Sequence, residues 1–173
     1  AVRALLEATV APAYRVFALR GLAPATHDLP KAVEGEFQER ILDLLASPLM
    51  DEERITALLA LDSFMRARED LPRRRPDLAA ALETKVLVPM EADPAAFAAS
   101  GIPSVRALMI AVVWHSARNR FSAGEPAALD RVNALLTKLA TLETDASVKA
   151  ELAAFLAAPT PNLDLTDRDP RLE

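Results

Sequence analysis

The sequence predicts an all-α protein, and three observations carry that prediction. Apolar residues recur at helical spacing along most of the chain. Runs of β-branched residues, which strands favour, are few. The four glycines, Gly21, Gly35, Gly101 and Gly124, fall between strongly periodic segments, where helices start or stop.

The elements follow in order. Residues 2–20 read as a helix broken or kinked at Pro12, because proline lacks a backbone donor and clashes with the preceding turn. Residues 21–30 (GLAPATHDLP) read as a loop. Residues 34–46 are helical, with Phe37, Ile41, Leu44 and Leu45 on one face, and Ser47 and Pro48 end them. Asp51 is expected to cap a helix through about Glu69, with Ile55, Leu58, Leu59 and Phe64 as its apolar positions. Residues 71–76 (LPRRRP) form a basic connector.

Pro76 opens a helix that Pro89 should stop near Val88. Asp93-Pro94 suits the start of a short helix ending near Gly101. A helix from Pro103 or Ser104 carries Trp114 and ends near Phe121. The stretch from Ser122 to Glu125 resembles a capping box for a helix to about Leu142. Thr144 and Asp145 cap a last helix ending before Pro159. Residues 1–158 therefore read as one helical domain, and residues 159–173 as a polar, acidic tail or linker.

Composition bounds the function. Apolar residues make up 51% of the 173, enough for a core, but aromatics are only 5%, so Ala, Leu and Val must do the packing. The net charge of −5 and isoelectric point near 5.2 disfavour a nucleic-acid binder, which usually presents a basic face. The absence of cysteine excludes disulfides, thiolate metal sites, iron–sulfur clusters and cysteine nucleophiles. The longest apolar run, Ala107 to Trp114, falls well short of the roughly 18 residues that span a bilayer. No signal peptide is visible, which favours a cytoplasmic location, and the Ala- and Arg-rich composition hints at a bacterial source.

The chain also repeats itself. Val-Arg-Ala-Leu occurs at Val2 and again at Val105, each time heading an apolar run. Aligning helices on a basic residue near the start gives Arg3, Arg54, Arg106 and Lys149, spaced 51, 52 and 43 residues apart. Stacked helix pairs need about 40 to 47 residues per unit. Another apolar helix precedes each of Arg54 and Lys149, at residues 39–48 and 133–142. This pattern resembles the HEAT/armadillo class of right-handed α-solenoids over roughly residues 1–158. It departs from that class where an Asp is expected before the basic position, since Pro48, Ser100 and Glu143 stand there. An irregular helical bundle is the structural alternative. Residues 2–20 look like the second helix of a pair without its first, as if the array were cut short on that side.

The resemblance implies a non-enzymatic module that binds a protein or peptide on the face of its stacked helices. Three groups of residues could serve it. The ladder Arg3, Arg54, Arg106 and Lys149 could meet an acidic partner, or simply pair with carboxylates of the neighbouring unit. Arg73, Arg74 and Arg75 could grip phosphate, or neutralise Glu69, Asp70 and Asp77 around a turn. Trp114 and His115, near Arg118 and Arg120, could line a ligand pocket or an interface, or belong to the core. His27 forms no motif with His115. No HExxH sequence, nucleophile elbow, Gly-rich phosphate loop or EF-hand spacing is present, so no metal site, catalytic residue or cofactor is expected. The alternatives are nucleic-acid binding, which some HEAT-like proteins perform, and a helical ligand-binding or enzymatic domain using the Trp114/His115 region.

Overall fold

The computed structural model describes residues 2–161. Within them every regular element is helical. In chain order they are α1 (Val2–Ala8), α2 (Pro12–Ala25), a 3₁₀ turn (Lys31–Val33), α3 (Glu34–Ala46), α4 (Asp51–Ala67), α5 (Leu71–Arg74) and α6 (Pro76–Leu82). A π-helical turn (Glu83–Leu87) then leads into α7 (Val88–Ala92), α8 (Pro94–Ala99), α9 (Pro103–Ser122), α10 (Pro126–Leu142) and α11 (Ala146–Ala157). From residue 162 on, the expected tail lies outside the described residues.

Helices α2, α4, α9 and α11 lie side by side in that order. Helix α3 packs on α4, while α10 packs on α9 and α11. The most extensive contact joins α4 to α9, which the short segments α5 to α8 separate in sequence. That irregular pattern fits a bundle better than a regular solenoid.

The apolar run from Ala107 to Trp114 explains the place of α9 at the centre. It touches α4, α10, α11 and α5, and Ile110, Val112, Val113 and Trp114 are buried. Phe37 of α3 and Phe64 of α4, both fully buried, meet with ring centroids 4.9 Å apart and tilted planes. Polar bonds tie the α4–α9 seam together. The Asn119 side-chain amide donates to the Met65 carbonyl at 2.8 Å, satisfying an acceptor in the last turn of α4.

Helix α3 spans the residues its apolar periodicity marked, and Pro12 does break the first helical stretch. Five expectations need correction. Asp51 is the first residue of α4 and not its cap, and Glu53 accepts the Met50 N–H there. Helix α2 runs through Gly21 and Pro24 to Ala25, where a loop was expected. Leu19 and Leu22 are fully buried, and their burial carries the helix past the glycine. Leu5 of α1 packs directly over Gly21.

Pro89 does not stop the sixth helix. The π turn ahead of it widens the backbone, with the Val88 N–H bonded to the Glu83 carbonyl five residues back. The wider turn accommodates the missing proline donor, and buried Met90 anchors the continuation. The LPRRRP connector holds a helical turn, with Leu71 and Pro72 buried. The expected capping box at Ser122 does not form, because α9 includes Ser122 and Gly124 turns the chain at φ +100°. Glu125 instead pairs with Arg120.

Helix α11 starts as predicted. The Asp145 carboxylate accepts from the Ser147 and Val148 N–H groups at 2.9 and 3.2 Å. Replacing Asp145 by Ala should lower stability, read as a fall of the urea midpoint at unchanged slope.

Candidate binding surfaces

The basic ladder shares one local geometry, with one change of member. Arg54, Arg106 and Lys149 are each the fourth residue of their helices, α4, α9 and α11. Arg3 is not in this register, because it is the second residue of α1. The fourth residue of α2 is Arg15. Pro12-Ala-Tyr-Arg15 and Pro103-Ser-Val-Arg106 are the matching sequences, each with proline opening the helix and fixing its first φ.

Arg15 and Arg106 each bond carbonyls of the preceding turn and one carboxylate, Arg106 through two nitrogens and Arg15 through one. Arg106 Nη1 donates to the Ser100 and Gly101 carbonyls at 2.9 and 3.1 Å, joining α9 to the turn before it. Its Nε and Nη2 grip both oxygens of Glu143 at 2.8 and 2.9 Å. Glu143 Oε1 also accepts the Thr144 and Asp145 N–H groups at the head of α11. Arg15 likewise donates through Nε to the Thr9 carbonyl at 2.9 Å and through Nη1 to Glu53 at 3.0 Å. Glu53 accepts the Met50 N–H at the head of α4. Each arginine thus clamps its own turn to the head of the next helix in the row, α4 for Arg15 and α11 for Arg106.

These hydrogen bonds and the guanidinium charge keep the Glu143 carboxyl below its ordinary range, against the opposing effect of burial. The carboxylate in turn raises the Arg106 pKa.

The other ladder members differ. Arg54 donates to the Leu45 and Ser47 carbonyls at 3.2 and 3.5 Å but meets no carboxylate among the described residues. Lys149 is exposed and forms no ion pair among them. Arg3 is exposed and lies 3.4 Å from Glu36.

The arginine triplet is engaged within the fold. Arg74 binds Glu34 at 3.1 Å and also Asp70. Arg75 chelates Asp77, at 2.7 Å for the shorter bond, and Arg73 donates to the Ser122 carbonyl. The predicted partners Asp70 and Asp77 are therefore present. Glu34 was not foreseen, and it is fully buried between Arg74 and Arg68.

Trp114 is buried against Phe155 of α11, with centroids 4.8 Å apart, and the Arg118 guanidinium lies 5.4 Å from its ring centre. His115 meets both aromatic rings edge-on. Its Nδ1 is 2.8 Å from Asp62 Oδ1, and Arg66 Nε reaches the other Asp62 oxygen at 2.9 Å. The group thereby joins α4, α9 and α11.

One surface went unmarked by charge or motif. On α2 and the turn before it, Val10, Tyr14 and Phe17 are 60%, 65% and 78% exposed, and Pro24 is exposed beyond them. Tyr14, Phe17 and Pro24 share one helical stripe, and Val10 precedes it in the turn. The signal was readable as apolar residues at i, i+4 and i+7, but such spacing marks a buried face equally well. Among the described residues, no group of His, Asp and Glu could hold a metal ion, and no helix is long and apolar enough to cross a membrane. No family model, curated protein or solved structure matches the chain.

Proposed function

We propose that the chain is a non-enzymatic protein-binding scaffold, a short and irregular relative of stacked helix-pair arrays. The repeated arginine clamps at the helix heads support the stacked character. The uncovered apolar stripe of Tyr14 and Phe17, with Val10 before it, carries the binding reading, since two adjacent aromatics rarely stay this exposed without a partner. Helix α2 lies at one end of the row; α1 covers its outer side at Gly21, and the Tyr14 and Phe17 positions before it stay uncovered to receive another helix. The partner surface is a helix with an apolar face that extends the row by one member. Many of the arginines are already held in internal ion pairs, among them Arg15, Arg68, Arg74, Arg106, Arg120 and Arg131, which leaves little basic surface for a nucleic acid.

The test is a photo-crosslinking amino acid at position 17, with a control at exposed Lys138 on α10. The expected result is one dominant heteromeric product from position 17, competed by unlabelled wild type but not by the Tyr14→Glu variant. Products from both positions alike, or none from position 17, would overturn the proposal. A crosslinked second copy of the chain would replace the heteromeric partner by self-association.

A further inference from the structure

Arg54 differs from the two clamp arginines in one respect: no carboxylate completes its set of bonds. Arg15 has Glu53 and Arg106 has Glu143. Arg54 binds carbonyls of the preceding turn, as the other two do, here through Nη1 and, at 3.5 Å, Nη2, but its Nε has no acceptor among the described residues. The interval from Arg54 to the next ladder position is also the longest of the three. No side chain from it forms a hydrogen bond or ion pair with the guanidinium.

A cavity of about 220 Å³ lies at this place, between α3, α4, the π turn and α9. Leu42, Leu45, Leu58, Val86 and Met109 give it apolar walls, and Arg54 and Lys85 bring two cations to its lining. Lys85 is half exposed and lies 3.2 Å from exposed Asp43, so the lysine end faces solvent. The cavity therefore combines a greasy interior, a fixed guanidinium and an open cationic rim. A cavity of 150 Å³ accommodates benzene, so this one suits roughly eight to ten non-hydrogen atoms.

We infer that this cavity binds a small organic monocarboxylate, its apolar body against Leu58, Val86 and Met109 and its carboxylate on Arg54 where Glu143 sits on Arg106. Two parallel N–H donors on one carboxylate is the geometry that arginine favours. Lys85 adds a second positive charge, and Asp43 beside it disfavours a second negative charge on the ligand. The inference rests on Arg54 and the cavity alone, independent of the α2 stripe.

The probes are octanoate, with about ten non-hydrogen atoms, and its neutral counterpart octan-1-ol, titrated into the full chain and followed by methyl NMR. Octanoate should bind at least about tenfold more tightly than the alcohol, shifting the Leu58, Val86 and Met109 methyl signals. Arg54→Met should bring octanoate to the alcohol's Kd and leave the alcohol's Kd unchanged. Lys85→Met makes no contact with the backbone turn and should cost about threefold for octanoate alone. It serves as the readout if Arg54→Met fails to fold. Equal affinity for the two probes, no binding of octanoate, shifts confined to another site, or variants that bind octanoate as wild type does would each overturn the inference.

Discussion

Replacing Glu143 by Gln should destabilise the protein by about 3–5 kcal/mol near neutral pH, because it leaves the buried Arg106 guanidinium without its counter-charge. The two side chains are only 8% and 2% exposed, so water cannot take over the lost interaction. The amide keeps one acceptor for the Thr144 and Asp145 N–H groups but turns a donor toward Arg106. Helix α11 then loses its tie to α9, and Val148 and Leu152, both fully buried, lose their fixed position. The double variant Arg106→Met/Glu143→Leu should recover much of the loss, since removing both charges also removes the cost of burying them.

The pH dependence has a definite sign. The Glu143 pKa is lowered in the folded state, first by the Arg106 hydrogen bonds. The unfolded state therefore takes up its proton at higher pH, near the ordinary glutamate value of about 4.3. The stability this group contributes is complete above that value and is lost as pH falls through the lower folded pKa. The gap between wild type and Glu143→Gln should be flat from pH 7 to about 5 and shrink below about 4. Asp70, Asp77, Glu83 and Asp145 are shifted the same way, so the comparison with the variant is what isolates Glu143. Urea unfolding of both proteins across this range is the measurement. A gap that widens on acidification would refute the assignment.

Local rules made much of this fold legible. The boundaries of α3 follow from Phe37, Ile41 and Leu44, which repeat at helical spacing between clear breaks. The cap at Asp145 follows from a side chain that reaches backbone groups two and three residues away. What stayed hidden depends on distant partners. Glu34 is a tolerable buried charge only because Arg68 and Arg74 reach it from 34 and 40 residues further on. Pro89 looks like a helix stop until the buried side of Met90 is known. The ladder was partly readable, but the Val-Arg-Ala-Leu identity at Val2 pointed to Arg3. The mechanically equivalent signal was proline three residues before arginine, at Pro12 and Pro103, because helix position, not neighbouring sequence, sets where the guanidinium reaches. The cavity beside Arg54 is a void between four elements, and no local pattern encodes a void.

Two phenylalanines of the same chemistry should give opposite results, and the difference bears on what the molecule is for. Phe64→Ala should cost about 3–5 kcal/mol, because the ring is fully buried in α4 against Phe37 and its loss leaves a cavity that the neighbouring helices cannot close. Phe17→Ala should change stability by less than about 0.5 kcal/mol, since 78% of that residue is already in water. Thermal and urea unfolding of the two variants make the comparison. A large loss for Phe17→Ala would mean that its ring packs within the monomer, and the α2 stripe would then be part of the core rather than a surface for a partner. A small loss would leave an aromatic that contributes nothing to folding in the isolated chain, and its contribution would have to be sought in a complex.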